Sequence, residues 1–178
     1  MAREEHVALI KKGTRTWNEW RQHTPDVRPD LFAANLTDLV GSGMDLAGAV
    51  LSVAILNRAD FSGADLRRAD VSSANLTEAV LCRANLHGAD LRGTNLSRAD
   101  LRGADLRGVD LRSALLVGAD LRDADLAGAN LSSTLLQKAQ NLEVEQLAGA
   151  HTLWLAELGE RMDLARQHCP HLLERPTE

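Results

Sequence analysis

Leucine recurs at every fifth residue over more than half of this chain. In steps of five from Leu31 to Leu136, 19 of the 22 positions are leucine and one is phenylalanine. Two residues before these positions, from Ala34 to Thr134, 16 of 21 positions are alanine. Asp or Asn stands between the two columns in most repeats. The unit is Ala-(Asp/Asn)-Leu-x-x, and its register never slips between residues 31 and 136, which indicates a repeat architecture.

A period of five matches neither an α-helix, with 3.6 residues a turn, nor a flat strand with a period of two. Asp, Asn and Gly recur in the outer positions of the repeat, and these residues favour turns over helix interiors. A chain that turns every five residues closes after four turns, so about 20 residues make one square coil. Such coils stack at strand spacing, roughly 4.8 Å apart. The repeat therefore predicts a rod of roughly 26 Å, made of about five and a half coils.

The motif resembles that of pentapeptide-repeat proteins, and the resemblance covers about 106 of the 178 residues. It implies an all-β solenoid: a right-handed quadrilateral β-helix with short α-helical segments at the N- and C-termini. Leu or Phe would lie at the centre of each coil, with the preceding Ala also inside and the other three positions outside. Gly41 departs from the pattern, as do its neighbours Leu39 and Met44. We expect a distorted first coil in which Leu39 fills the space that Gly41 leaves.

A solenoid exposes its core at both ends and needs caps. We expect an N-terminal helical cap over residues 1–28, the β-helix over 29–138 and a C-terminal helical cap over 139–178. The C-terminal segment reads as a short helix from about Val144, followed by a longer helix that Pro170 ends. That longer helix would place Leu155, Leu158, Met162 and Ala165 on one face.

Outward apolar residues cluster near both ends of the repeat. Phe32, Val40, Val50, Val53 and Ile55 lie near its start, and Leu115, Val117 and Leu135 lie on one face near its finish. We expect each terminal helix to dock on the apolar patch beside it. A second hypothesis, compatible with the first, is a homodimer interface at the second patch or the C-terminal helix. The candidate cap or dimer contacts are Leu115, Val117, Leu135, Leu155, Leu158 and Met162.

The charge pattern bears on the best-known activity of the similar family, which is DNA mimicry by quinolone-resistance proteins that bind DNA gyrase. A duplex carries one negative charge per roughly 1.7 Å, so a rod of about 26 Å would need on the order of 15. Residues 31–136 hold 13 acidic residues and 10 arginines. Most arginines follow an aspartate by two residues on the same face, which cancels the field that a mimic needs. Gyrase inhibition or protection therefore stays the alternative hypothesis.

Other classes of function have little support in the sequence. No phosphate-binding loop or nucleophile elbow is present, so we expect no enzyme and no cofactor. His168, Cys169 and His171 stand together, but one such cluster supplies too few ligands for a structural zinc site, so we expect no metal. The net charge of −5 gives no basic footprint, so we expect no direct nucleic-acid binding.

The remaining interpretation is a non-catalytic scaffold for an unidentified protein partner. Its most prominent outward display is Arg92 and Arg112 on one side, with Arg102 and Arg122 on what we take to be a neighbouring side. No apolar run is long enough to span a bilayer, so we expect no membrane association. The N-terminus lacks the features of a signal peptide and the two cysteines are far apart, which favours the cytoplasm.

Overall fold

The computed structural model describes residues 3–175, so the outermost residues of both expected caps lie outside the described part. From Asp30 to Gln140 the backbone makes a tight turn every five residues. Isolated parallel β-bridges, one residue long, join positions 20 residues apart, such as Asp30 with Val50 and Asp100 with Asp120. Four turns thus complete one coil, as the period predicts.

The bridged residues form four columns, and each column marks one face of the coil. Face 1 carries Asp30, Val50, Asp70, Asp90, Asp110, Asn130 and Thr152. Face 2 carries Asn35, Ile55, Asn75, Asn95, Leu115, Leu135 and Glu157. Face 3 carries Val40, Asp60, Val80, Asp100, Asp120 and Gln140, and face 4 carries Asp45, Asp65, Asn85, Asp105 and Asp125. On every face the next residue is the inward leucine or its equivalent, and the two after that point outward.

Backbone hydrogen bonds link each coil to both of its neighbours. The Leu101 N–H donates to the Asp120 carbonyl at 2.9 Å, and the Asp100 N–H donates to the Ala79 carbonyl at 3.0 Å. A third bond, from the Ala104 N–H to the Leu101 carbonyl at 3.0 Å, closes the turn itself. The same three bonds recur along the rod, so they pair the backbone N–H and C=O groups of successive coils.

The second outward residue of each repeat has a left-handed backbone. Its φ lies between +55° at Ala33 and +72° at Gly118. Glycine adopts this conformation without steric cost, which explains why it recurs at this position alone. Val53, with a φ of +61°, is the β-branched exception.

The interior is a stack of leucine and alanine columns that the coil excludes from solvent. Thr94 and Thr134 replace alanine there and are fully buried. Their hydroxyls donate to the carbonyls of Val71 and Leu111, at 2.8 and 2.9 Å, so neither polar group is left without a partner.

Phe61 and Met44 fill the space at Gly41. A Cβ added at Gly41 would lie 3.0 Å from the Phe61 ring and 3.0 Å from the Met44 sulfur. Leu39 is only partly buried. The expectation that Leu39 fills this space is therefore wrong, because the larger Phe61 side chain from the next coil already occupies it.

The first coil is closed by α1 (Glu4–Ile10) and α2 (Thr14–His23). Side chains of α2 bond the open backbone edge: Trp17 Nε1 donates to the Asp45 carbonyl at 2.7 Å, and Asn18 Nδ2 donates to the Gly43 carbonyl at 2.9 Å. The Asn18 amide oxygen also accepts the Asp45 N–H at 2.9 Å. Because an open edge would template pairing with another chain, these bonds protect the end of the rod.

At the other end, α3 (Val144–Ala148) interrupts the coil without ending it. Asn130 bridges Thr152 and Leu135 bridges Glu157, a separation of 22 residues instead of 20. Gln146 of α3 donates to the Leu121 and Ala124 carbonyls at 2.9 and 2.8 Å, taking the place of the missing coil segment. The coil thus continues beyond residue 138, where the sequence placed its end.

A 3₁₀ turn (Gly159–Arg161), α4 (Met162–His168) and a second 3₁₀ turn (Pro170–Leu173) complete the described chain. The longer helix expected through Leu155 does not form, because Ala156-Glu157-Leu158 is one more repeat unit and turns Ala156 and Leu158 into the core. Leu155 occupies the left-handed turn position, with a φ of +57°. No helix within residues 3–175 is long and apolar enough to cross a membrane.

Candidate interaction surfaces

Aspartate–arginine pairs cover much of the outer surface. In the pair on face 3, Arg102 Nε donates to Asp100 Oδ1 at 2.8 Å and Nη2 donates to Oδ2 at 2.6 Å. The same carboxylate accepts the Arg102 backbone N–H at 3.1 Å, which fixes it at the start of the turn. The arrangement recurs at Asp65–Arg67, Asp90–Arg92, Asp105–Arg107 and Asp110–Arg112.

These hydrogen bonds change the acidity of both partners. Donation from the Arg102 side chain holds the pKa of Asp100 below its ordinary value, and the same bonds raise the pKa of Arg102. Asp65, Asp90 and Asp105 have lowered pKa values for the same reason. Each pair therefore remains ionised at neutral pH and presents little net charge.

The structure separates the four arginines that the sequence singled out. Arg92 and Arg112 stack on face 1, whereas Arg102 and Arg122 stack on face 3. Face 2 lies between them, so the two pairs occupy opposite sides of the rod and the neighbouring-side expectation is wrong. Two repeats separate residue 92 from residue 102, and two repeats turn the chain by half a coil.

Three arginines of the repeat have no ion-pair partner within residues 3–175: Arg68, Arg83 and Arg122. Arg122 has an acid two residues earlier, Asp120. Asn141 Nδ2 donates to Asp120 Oδ1 at 2.8 Å, in place of the Arg122 side chain. Arg68 and Arg83 occupy the left-handed position, where Arg58 and Arg98 pair with acids 20 residues earlier. Arg68 and Arg83 have glycine at the matching positions, Gly48 and Gly63, so the sequence itself marks both arginines as unpaired.

The candidate cap or dimer residues fall into three groups. Leu158 is buried and Met162 packs partly buried against the core of its own chain. Leu115, Val117 and Leu135 are half-buried on face 2, where Leu115 bridges Leu135 directly. Leu155 is exposed.

The apolar residues near the start of the repeat are not covered by the terminal helices. Phe32, Val40, Val53 and Ile55 are all exposed, because α2 lies across the open end of the coil and bonds its edge. Phe32 and Val53 lie on face 1, and Ile55 begins the adjoining face 2. These side chains therefore remain accessible to another molecule.

The histidine–cysteine cluster is dispersed by the chain's path. His168 Nδ1 lies 2.9 Å from the Leu164 carbonyl, and Cys169 is fully buried while His171 is exposed. Across the described residues, His, Cys, Asp and Glu side chains form no group that could hold a metal ion. Burial raises the pKa of the Cys169 thiol. Cys82 and Cys169 are both unpaired thiols.

Comparison with known proteins places this geometry in a family. The family description "Pentapeptide repeats" matches in eight copies over residues 30–72, 64–103, 74–112 and 104–140. A search of curated proteins gave no match.

Several solved structures are similar. The pentapeptide repeat protein alr5209 from Nostoc Pcc 7120 is 43% identical over 54% of this chain and 82% of that protein, with a TM-score of 0.47. AT2G44920, a pentapeptide repeat protein from the Arabidopsis thaliana thylakoid lumen, is 33% identical over 52% of this chain and 68% of that protein, with a TM-score of 0.45. QnrB1, a plasmid-mediated fluoroquinolone resistance protein, is 22% identical over 66% of this chain and 74% of that protein, with a TM-score of 0.34. Because the family description spans most of the coil, the chain belongs to the pentapeptide repeat family.

Proposed function

We propose that this protein is a non-catalytic scaffold, a right-handed quadrilateral β-helix that binds another protein through its outer faces. The observation that carries the proposal is the exposed apolar group of Phe32, Val53 and Ile55 at the edge between faces 1 and 2. Exposed apolar side chains grouped on a surface mark protein interaction sites. The leucine–alanine core beneath is independent of them, so the outer residues can serve a partner without disturbing the fold.

A cytoplasmic location fits this role, since two unpaired thiols suit a reducing compartment. The paired surface arginines and the net charge of −5 argue against direct nucleic-acid binding. A homodimer through the C-terminal segment is a second proposal, supported by the exposure of Leu155 and Leu164.

Affinity capture from a native lysate tests the scaffold role. A specific partner should be recovered with the wild-type chain and lost with Phe32→Ser/Ile55→Ser, while Arg15→Ala at an exposed position of α2 should retain it. Equal recovery with both variants would reject the apolar group as the interface. Any enzymatic turnover that depends on His168 or His171 would reject the non-catalytic role.

Gyrase inhibition has its own test. The aspartate–arginine pairs leave a weak field, so micromolar protein should not inhibit supercoiling of relaxed plasmid by DNA gyrase. Clear inhibition at that concentration would favour the gyrase hypothesis over the scaffold.

A further inference from the structure

An arginine-lined groove crosses face 3 near the middle of the rod. Its volume is about 510 Å³, within the usual range for binding clefts. Arg83, Arg102 and Arg122 line it from three successive coils, together with Cys82 and Asp123. Arg83 is not among the interaction residues that the sequence predicted.

Two of these guanidinium groups, those of Arg83 and Arg122, form no ion pair among the described residues. Arg102 is bound to Asp100, whereas the acid that would serve Arg122 is bound to Asn141. Arg83 has glycines 20 residues before and after it. Of the three unpaired arginines of the repeat, two thus meet in one groove.

Arg83 shares a column of left-handed turn positions with Gly103 and Asp123. Its Cγ lies 3.6 Å from the place where a Cβ would stand on Gly103, one coil further on. Gly103 has no side chain and leaves the space beside Arg83 open. Arg122 lies one coil beyond Gly103, roughly 4.8 Å further along the axis.

We propose that this groove binds an acidic segment of a protein partner in extended form, with carboxylates at alternate positions on Arg83 and Arg122. Alternate side chains of an extended peptide are about 6.8 Å apart, whereas Arg83 and Arg122 are two coils apart, roughly 9.6 Å, a difference that the long arginine side chains can span. The planar guanidinium donates two parallel hydrogen bonds to a carboxylate, which gives the contact its direction. This inference rests on the proposed scaffold function and names the chemistry of its partner.

A polyphosphate chain fits the groove less well. Asp100, Asp120 and Asp123 flank the arginines, and a continuous line of phosphates would meet these carboxylates. The described lining residues include no aromatic side chain on which a base could stack. An acidic peptide can place neutral residues opposite the aspartates.

The direct test is fluorescence anisotropy at low salt with a fluorescein-labelled peptide of alternating glutamate and serine, Glu-Ser-Glu-Ser-Glu-Ser. We expect saturable binding to the full chain and about tenfold weaker binding to Arg83→Gln/Arg122→Gln. The matched control is Arg67→Gln/Arg107→Gln, which removes the same charge from face 4 and should retain wild-type affinity. Absence of saturable binding, or equal weakening in both double variants, would overturn the proposal, as would tighter binding of a 12-nucleotide single-stranded DNA.

Cys82 supplies a second measurement inside the groove. It is half-exposed while Cys169 is buried, so thiol reagents report on Cys82 under native conditions, with Cys82→Ser as the blank. The rate with the dianion 5,5′-dithiobis(2-nitrobenzoate), relative to neutral 4,4′-dithiodipyridine, should fall severalfold in Arg83→Gln/Arg122→Gln and not in the face 4 control. The alternating Glu-Ser peptide should protect Cys82. An unchanged rate ratio would show that the two arginines do not attract anions into the groove.

These outcomes separate the two proposals. If a captured partner still binds Arg83→Gln/Arg122→Gln at full strength, the groove assignment fails and the scaffold role stands. If the alternating Glu-Ser peptide binds as expected but no protein partner is captured, the groove is an anion site and the scaffold role fails.

Discussion

Adjacent residues of each repeat have different structural roles. Leu101 is fully buried, whereas the neighbouring Arg102 side chain is half-exposed and paired with Asp100. The hydrophobic contribution to folding therefore comes from two residues in five, the inward leucine and alanine, and the outward residues chiefly decide what the surface presents.

This division predicts unequal costs for neighbouring substitutions. Leu101→Ala should reduce the free energy of unfolding by about 2–5 kcal/mol, because it opens a cavity between stacked leucines. Arg102→Ala should cost well under 1 kcal/mol, since exposed ion pairs contribute little. Denaturant titration of both variants measures the difference, and similar midpoints would contradict the inward and outward assignment.

Val53 offers a test of the left-handed turn position. Val53→Gly should raise the free energy of unfolding by about 0.5–1 kcal/mol, because glycine removes the steric cost of a φ of +61° at a half-exposed residue. Val40→Gly is the matched control: the same change at an exposed bridge position, where glycine should cost about 0.5–1 kcal/mol. Thermal unfolding should shift in opposite directions, and shifts of the same sign would refute the explanation.

At the scale of elements, α2 caps the coil with hydrogen bonds as well as with apolar contacts. Trp17 and Asn18 supply the hydrogen bonds that a preceding coil would otherwise provide. Gln146 of α3 does the same at the opposite end. The caps are therefore specific to the edge that each one covers.

Asn18→Ala should cost about 1–2 kcal/mol, since it removes two hydrogen bonds to the Gly43 carbonyl and the Asp45 N–H. Arg15→Ala, on the exposed side of the same helix, should cost under about 0.5 kcal/mol. Light scattering should also show more self-association of Asn18→Ala, because its coil edge is open. If the Asn18→Ala variant is monodisperse and its stability is unchanged, the Asn18 hydrogen bonds are dispensable.

The sequence allowed the coil, its register and its buried columns to be predicted, since a strict five-residue period leaves few alternatives. It did not reveal the last repeat, Ala156-Glu157-Leu158, because α3 adds two residues and shifts the count. Nor did it show that Phe61 occupies the space at Gly41, which depends on the packing of two coils. The unpaired state of Arg122 depends on Asn141, which belongs to another part of the chain.

At the scale of the whole molecule, the surface is a lattice of neutralised charge. Five aspartates each hold an arginine two residues away, and two of these arginines also approach an acid on the next coil, Arg92 with Asp110 and Arg107 with Asp125. The rod therefore projects a short-ranged field, and a protein partner of the kind proposed here would recognise local features such as the face 3 groove.

The pairs also predict acid sensitivity. The pKa of Asp90, Asp100 and Asp105 is lower in the fold than the ordinary value of 3.8 expected in the unfolded chain. Their contribution to stability is therefore complete above about pH 5 and is lost as the pH falls below 3.8, through the folded-state pKa.

Urea titrations at pH 7, 5 and 3 measure this loss. The triple variant Asp90→Asn/Asp100→Asn/Asp105→Asn keeps an oxygen that can accept the turn N–H but cannot titrate, so its stability should change less with pH. An equal loss in the variant would assign the acid sensitivity to other groups.

The bridge spacing has a consequence for how such a chain can change length. An insertion of 20 residues anywhere in the coil would keep every downstream residue in its column and lengthen the rod by one coil. An insertion of five would keep the leucine core continuous but rotate everything downstream by a quarter turn relative to α1 and α2. The angle between the apolar group on the first coils and the groove on face 3 is thus a quantity that evolution, or an engineer, can set in steps of 90°, without redesigning either surface.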